Sequence, residues 1–302
     1  MAVLIHVRSL MSLLSKVRHR LKRFAGYAGH RPGSYYSPIP SMEELRRDKA
    51  RNFDRSLREI GGVDVREKDQ LALLDELSKF YAEQPFSAEP SANMRYFFEN
   101  IYFSYSDALF LYSIIRYFKA KRIIEIGSGF SSFVMLDTND RFFDSSIRMT
   151  FIEPYPERLR SRLREKDSEV AEIVVKRVQD VELSRFEELA AGDILFVDSS
   201  HVAKVGSDVN HILFEILPRL APGVLVHVHD IFYPFEYPEN WIVTQKWFWN
   251  EAYVLRSFLQ FNSAFKILAW NNYLGLFHAE KLTQCMPLTM KNIGGSIWLQ
   301  RD

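Results

Sequence analysis

The sequence predicts an α/β protein with a largely parallel sheet and helices on both faces. Three observations carry this. From about Ser104, short apolar runs of strand length alternate with helical patterns, the signature of βαβ units. One of those runs ends in a Gly-Ser-Gly turn that leads into a helix. Carboxylates recur just past the ends of successive runs, where ligands bind in sheets of this kind.

A length of 302 residues allows one or two domains. With 47% apolar and 25% charged residues, a wholly disordered chain is excluded. The single cysteine, Cys285, excludes an intrachain disulfide and a Cys-based zinc site. It leads us to expect a reducing, cytoplasmic compartment. A net charge of +1 gives no reason to expect nucleic acid as partner. That sum hides a split: residues 1–42 carry seven Lys/Arg and no Asp or Glu, leaving 32 basic against 38 acidic residues in the remainder.

Residues 1–24 read as a basic amphipathic helix, because Val3, Val7, Leu10, Met11, Leu14, Val17, Leu21 and Phe24 recur at helical spacing. The uncharged run is too short to span a bilayer. The basic cluster follows the apolar run, the wrong order for a secretory signal. Two readings stand for this helix: packing on the body or on another subunit of a homo-oligomer, or peripheral contact with the anionic inner face of a membrane. A Gly/Pro-rich linker reaches Pro40. Residues 41–90 read as a helical N-terminal region, with Ser41 and Glu44 as a capping box for a helix to about Glu59, and a second helix over Glu67–Ala82 after Gly61-Gly62.

Residues 91–302 read as the main domain. Its expected strands are Arg122–Ile126, Met149–Ile152, Ile173–Val175, Ile194–Val197 and Val224–Val228. Its expected helices are Asp107–Phe118 capped by Ser106, Ser131–Thr138, Glu157–Lys166 and Asp208–Leu220. The aromatic-rich tail adds a helix over Trp247–Leu259 and two late strands, Phe265–Trp270 and Ser296–Gln300, as an antiparallel pair at one sheet edge. Tyr273–His278 reads as an extension of the first late strand.

The most informative stretch is Glu125-Ile126-Gly127-Ser128-Gly129-Phe130-Ser131-Ser132. Glycines at a strand end permit a tight turn and close approach of a ligand, and the helix start presents free N–H groups. A dinucleotide fingerprint would need a third glycine where Ser132 stands. Glu125 at the strand end and Glu153 after the next strand, where a carboxylate can accept both ribose hydroxyls, instead favour another nucleoside ligand. The runs EIGSGFSS, FIEP and FVDSSH resemble the class I S-adenosylmethionine-dependent methyltransferases over about residues 100–300. The resemblance implies a Rossmann-like seven-stranded sheet and S-adenosylmethionine as cofactor. It implies that Glu125 faces the methionine amino group and that the Gly127, Ser128 and Gly129 backbone contacts the methionine part. Glu153 would hold the ribose, and Gln179 and Asp180 would lie at the adenine. Ser131 stands where many members have a third glycine.

At the reacting end, Asp198 closes one strong strand, and His229 and Asp230 close the next. This resembles the metal-dependent O-methyltransferases acting on catechols and sugars, which implies a divalent ion, Mg or Mn, on Asp198, His229 and Asp230. His201, three residues after Asp198, is the expected general base, with Lys204 a weaker candidate. His227 reads as a satisfied interior histidine. The loop Phe232–Tyr237 and the indoles Trp241, Trp247 and Trp249 are candidates for acceptor selection, against a plain core role. The expected reaction is methyl transfer to a hydroxyl of a small molecule or glycan, by resemblance a sugar or cell-surface polysaccharide. The rivals are an N- or C-methyltransferase or another metal-free enzyme on the same donor, and a donor-binding or membrane-associated assembly protein without catalysis.

Overall fold

The computed structural model of the chain describes residues 29–302, so the basic helix expected over residues 1–24, with its membrane and subunit readings, lies outside the described residues. The described chain divides into two compact units. The smaller holds residues up to Asp54 together with Pro238–Phe248. It contains α1 (Met42–Arg47) and α2 (Lys49–Asn52). Ser41 caps α1 as the sequence predicts, its Oγ accepting from the Glu44 N–H at 3.4 Å. The helix expected to run to Glu59 ends at Asn52. Asn and Asp bond readily to nearby backbone and so favour turns here, at Asn52 and Asp54. Lys49 pairs with Glu239 at 2.8 Å, tying the two segments of this unit.

The larger unit, Arg55–Tyr237 with Trp249–Asp302, carries the sheet. Its elements in chain order are α3 (Glu67–Leu77), α4 (Tyr105–Phe118), β1 (Arg122–Ile126), α5 (Phe130–Phe142), β2 (Arg148–Ile152), α6 (Glu157–Arg160), β3 (Ala171–Val174), β4 (Ile194–Val197), α7 (Asp208–His211), β5 (Leu225–Val228), α8 (Glu251–Leu259), β6 (Phe265–Trp270), α9 (Asn271–Phe277), α10 (Ala279–Cys285) and β7 (Ile297–Arg301). The sheet has seven strands in the order β3-β2-β1-β4-β5-β7-β6. The first five run parallel, while β7 is antiparallel to both β5 and β6. All residues of β4 and β5 are buried, as expected of central parallel strands covered on both faces.

Several expected elements differ. The helix expected over Glu157–Lys166 ends at Arg160, that over Glu67–Ala82 passes into a 3₁₀ turn at Ser78, and α4 starts from Ser104 with Ser106 inside it. Tyr273–His278 does not extend β6: Asn271 N–H donates to Ser296 O and the chain turns into α9, which buries Tyr273 and Leu274. The helix expected over Asp208–Leu220 is α only to His211, then passes through a π turn and a 3₁₀ turn. Pro218 removes an N–H that a continuing helix would need. The helix expected from Trp247 begins at Glu251, because the Asn250 side chain is committed to the backbone of Ala203.

A buried ion cluster lies around Arg95. Arg95, ahead of α4, bonds Asp137 at 2.7 Å and Asp140 at 2.9 Å on α5, and also Asp167. This anchors the entry segment against α5. Among the described residues no helix is long and apolar enough to cross a membrane.

The register aligns the carboxyl ends of five strands. Val174 pairs with Ile152, Ile152 with Ile126, Ile126 with Val197, and Val197 with Val228. The next residue on each strand therefore falls in one row: Val175, Glu153, Gly127, Asp198 and His229. β1 and β4, at the centre of that row, flank the point where the strand order reverses, where ligands bind in open α/β sheets.

Candidate active site

The turn after β1 is shaped by close approach. Gly127 has φ +80°, and a Cβ there would stand 1.9 Å from the carbonyl oxygen of Asp198. The turn and the loop after β4 are thus in backbone contact, locked further by Asp198 N–H donating to Ile126 O at 2.8 Å and Gly127 N–H to Ile152 O at 3.0 Å. The Ser128 N–H donates to Glu153 Oε2 at 3.1 Å, and the Tyr155 N–H to Glu153 Oε1 at 2.8 Å. These bonds aim the Glu153 carboxylate across the turn. A carboxylate has about four lone-pair sites, so two such bonds leave room to accept ribose hydroxyls.

Glu125 is fully enclosed. Both its oxygens accept from the hydroxyls of Ser131 and Ser132 at the start of α5. Burial pushes its carboxyl up to about 8, against the pull of those hydroxyls. Ser131, at the position of a frequent third glycine, therefore has a definite task. Gly129 backs onto the Arg158 side chain, whose guanidinium lies 3.9 Å from the Tyr102 ring centroid. Tyr102 stacks in turn on Phe130. Gln179 donates to Gly206 O at 2.9 Å, beside the loop after β4. Asp180 makes a two-pronged pair with Arg177 at 2.8 and 2.9 Å.

Past the row lies a cluster of charge. His201 Nε2 is 3.4 Å from Asp198 Oδ1 and 3.6 Å from Asp230 Oδ2. His229 Nε2 is 3.7 Å from Asp230 Oδ1. His201 Nδ1 lies 2.9 Å from Glu251 Oε2 at the start of α8. Behind His229, Ser296 Oγ is 3.4 Å from Nδ1 and donates to the buried Asp107. His201 and Asp230 both hold left-handed backbone, φ +59° and +56°. Such positions cost non-glycine residues energy and concentrate at functional sites.

The electrostatics follow from this crowding. Burial opposes charge on His201, yet the bonds to Asp198 and Glu251 and the charges of Glu251 and Asp230 raise it well above the ordinary imidazole range. His229 is raised likewise, by Asp230, Asp198 and Asp107 against burial. Burial pushes the Asp198 carboxyl up, but the His201 bond and the His229, His201 and Arg158 charges bring it below its usual value. Asp198 keeps 39% side-chain exposure, so solvent weakens the burial effect and the net lowering stands. Asp230 is raised, chiefly by burial.

His201, Asp198, His229 and Asp230 thus come together as the sequence predicts. The expected metal set does not: among the described residues no group of three His, Cys, Asp or Glu side chains stands ready to hold an ion. The imidazole of His201 instead reaches toward both Asp198 and Asp230. His227 is interior and stacks on Phe196 at 3.8 Å, but neither ring nitrogen has a hydrogen-bond partner among the described residues, so it is not the satisfied histidine expected. Its pKa falls well below the usual range because of burial. Trp249 lies on the His201 ring, with centroids 4.4 Å apart, while Trp241 and Trp247 pair with each other in the smaller unit. Glu251, Ser199, Asp107 and Ser296 join the site without having been picked out in the sequence. No local motif marks them, and an acidic residue opening a helix ordinarily reads as a favourable helix-end charge.

A family model described as a methyltransferase domain matches residues 124–231. An uncharacterized protein of Archaeoglobus fulgidus is 36% identical over 162 residues, covering 52% of this chain and 72% of that one. The family-model match marks residues 124–231, which hold the end of β1, the Gly127 turn and the strands β2, β4 and β5, as a methyltransferase domain. Among solved structures, the O-methyltransferase TomG of Streptomyces achromogenes, in complex with S-adenosylmethionine, is 18% identical with a TM-score of 0.42, over 79% of this chain and 91% of that one. The methyltransferase PaMTH1 of Podospora anserina, bound to S-adenosylhomocysteine, is 14% identical with a TM-score of 0.43, over 82% and 100%. Neither of these two likenesses bears on the chemistry.

Proposed function

We propose that the protein moves a methyl group from S-adenosylmethionine to a hydroxyl of a small molecule or glycan, with His201 taking the hydroxyl proton. The observation that carries this reading is the backbone contact between Gly127 and Asp198. A donor bound at the turn would lie next to the Asp198–His201–Asp230 cluster. Methyl transfer from a sulfonium is an in-line displacement: the acceptor oxygen forms the new bond to carbon, the carbon–sulfur bond breaks, and the electron pair leaves with the neutral thioether. The enzyme's tasks are alignment and removal of the hydroxyl proton. His201 Nε2, between two carboxylates, is placed to take that proton, and Asp198 and Asp230 stabilise the imidazolium that results. The half-buried Trp249 beside His201 offers a flat apolar face of the kind that packs against a sugar ring.

The test is transfer of labelled methyl from S-adenosylmethionine to a panel of sugars, glycans and catechols, with and without EDTA. The reading expects hydroxyl products and a rate unchanged within about twofold by the chelator, since no transition-state interaction is assigned to an ion. Products methylated on nitrogen or carbon would overturn the acceptor class. Loss with EDTA, restored by Mg or Mn, would reinstate the metal-bound arrangement. Because the base works unprotonated and His201 is raised, the rate should climb as pH rises through and above the ordinary imidazole range.

A further inference from the structure

The loop after β4 is gripped by the residues that open α8. Asn250 and Glu251 N–H groups both donate to His201 O, at 3.1 and 3.2 Å. Asn250 bonds the Ala203 backbone in both directions, at 2.6 and 3.2 Å. Ser199 Oγ accepts from His201 N–H at 2.9 Å and donates to Glu251 Oε1 at 2.8 Å. Glu251 Oε2 faces His201 Nδ1 at 2.9 Å. These contacts close around a residue in left-handed backbone, which persists only where its surroundings over-determine it.

A carboxylate accepts and cannot donate, so the ring nitrogen facing Glu251 must carry the proton. Nε2 then points the other way, between Asp198 and Asp230. A second histidine–carboxylate partner of this kind fixes ring orientation and tautomer, as in other acid–base sites. We infer that Glu251 is a positioning residue that holds His201 with Nδ1 protonated and Nε2 presented to the acceptor hydroxyl. The inference rests on His201 being the proton acceptor. A purely helix-capping role is a poor account of Glu251: its side chain is buried, and its two oxygens go to Ser199 and His201.

Three full-length variants test this: Glu251→Ala, Glu251→Gln and His201→Ala. The first readout is the far-downfield imidazole N–H resonance of His201 by NMR, which needs no substrate and is assigned by its loss in His201→Ala. It should be present in the wild type, shifted in Glu251→Gln and lost in Glu251→Ala. The second is kinetic. Glu251→Ala should lower kcat about 100-fold or more with donor affinity unchanged within twofold, and Glu251→Gln, which keeps an acceptor oxygen, should recover part of it. An unchanged resonance in folded Glu251→Ala, or equal losses in donor affinity and kcat, would overturn the inference. If His201→Ala retains full transfer, the choice of base fails instead, and the resonance still reports whether the pair exists.

Discussion

Glu125 at the donor turn is bonded by Ser131 and Ser132, six and seven residues along the chain, whereas His201 at the reacting loop is bonded by Glu251, fifty residues away. Both carboxylates are buried, but they are used oppositely. Glu125 is met by neutral hydroxyls and is driven toward its protonated form. Glu251 is met by an imidazole that its charge helps to protonate. The donor end is therefore a rigid local turn built from backbone and short side chains. The reacting end is a long-range electrostatic assembly in which three carboxylates share two imidazoles. The first can be disturbed by shape, the second by charge.

The largest effect expected is on shape. Gly127→Ala brings a Cβ into the Asp198 carbonyl in a left-handed backbone position. Strain and clash together should cost more than about 4 kcal/mol, a roughly thousandfold loss of donor affinity by calorimetry. Donor affinity retained within tenfold would break the contrast, since the turn would then have slack.

A charge-based prediction of intermediate size follows from Glu125. Its folded pKa, about 8, lies above that of an unfolded glutamate, about 4.3. The folded state thus holds a proton that the unfolded state has lost. The stability tied to that proton is fully present below the unfolded value and is lost as pH rises through about 8. Unfolding free energies of wild type and Glu125→Gln, from urea titrations, should therefore diverge between pH 5 and 9, the wild type falling relative to the variant by an amount on the order of a few kcal/mol. Parallel curves would show that Glu125 is ionised when folded and that the donor end is not neutral.

The smallest effect belongs to the roof of the donor turn. Arg158→Ala removes an exposed contact with Tyr102, worth about 0.5–1 kcal/mol. Donor affinity should change by less than about fivefold. A larger loss would mean that the guanidinium binds the donor directly.

The same contrast explains what the sequence shows of this protein. The strands Arg122–Ile126 and Ile194–Val197 are legible to the residue because each is a short apolar run bounded by turn residues. The bonds of Glu125 to Ser131 and Ser132 lie close along the chain, within reach of the Gly127–Gly129 turn that the sequence marks. Asp198, His201, His229 and Asp230 are legible one by one, from their places past strand ends. Their mutual distances are not, and neither is Glu251, because its role depends on how α8 docks on a loop fifty residues earlier. Tyr273–His278 misleads for a related reason: Asn271 N–H bonds to Ser296, a tertiary contact that ends β6 where periodicity alone would continue it.

The most direct measurement is S-adenosylhomocysteine binding by calorimetry, made in parallel on the wild type, Gly127→Ala and His201→Ala, with transfer rates on the same samples. The account predicts one site on the wild type, lost in Gly127→Ala. It predicts that the site is kept within about twofold in His201→Ala while that variant's rate falls by about 10²–10⁴. No binding to the wild type, or equal loss of binding in both variants, would contradict it.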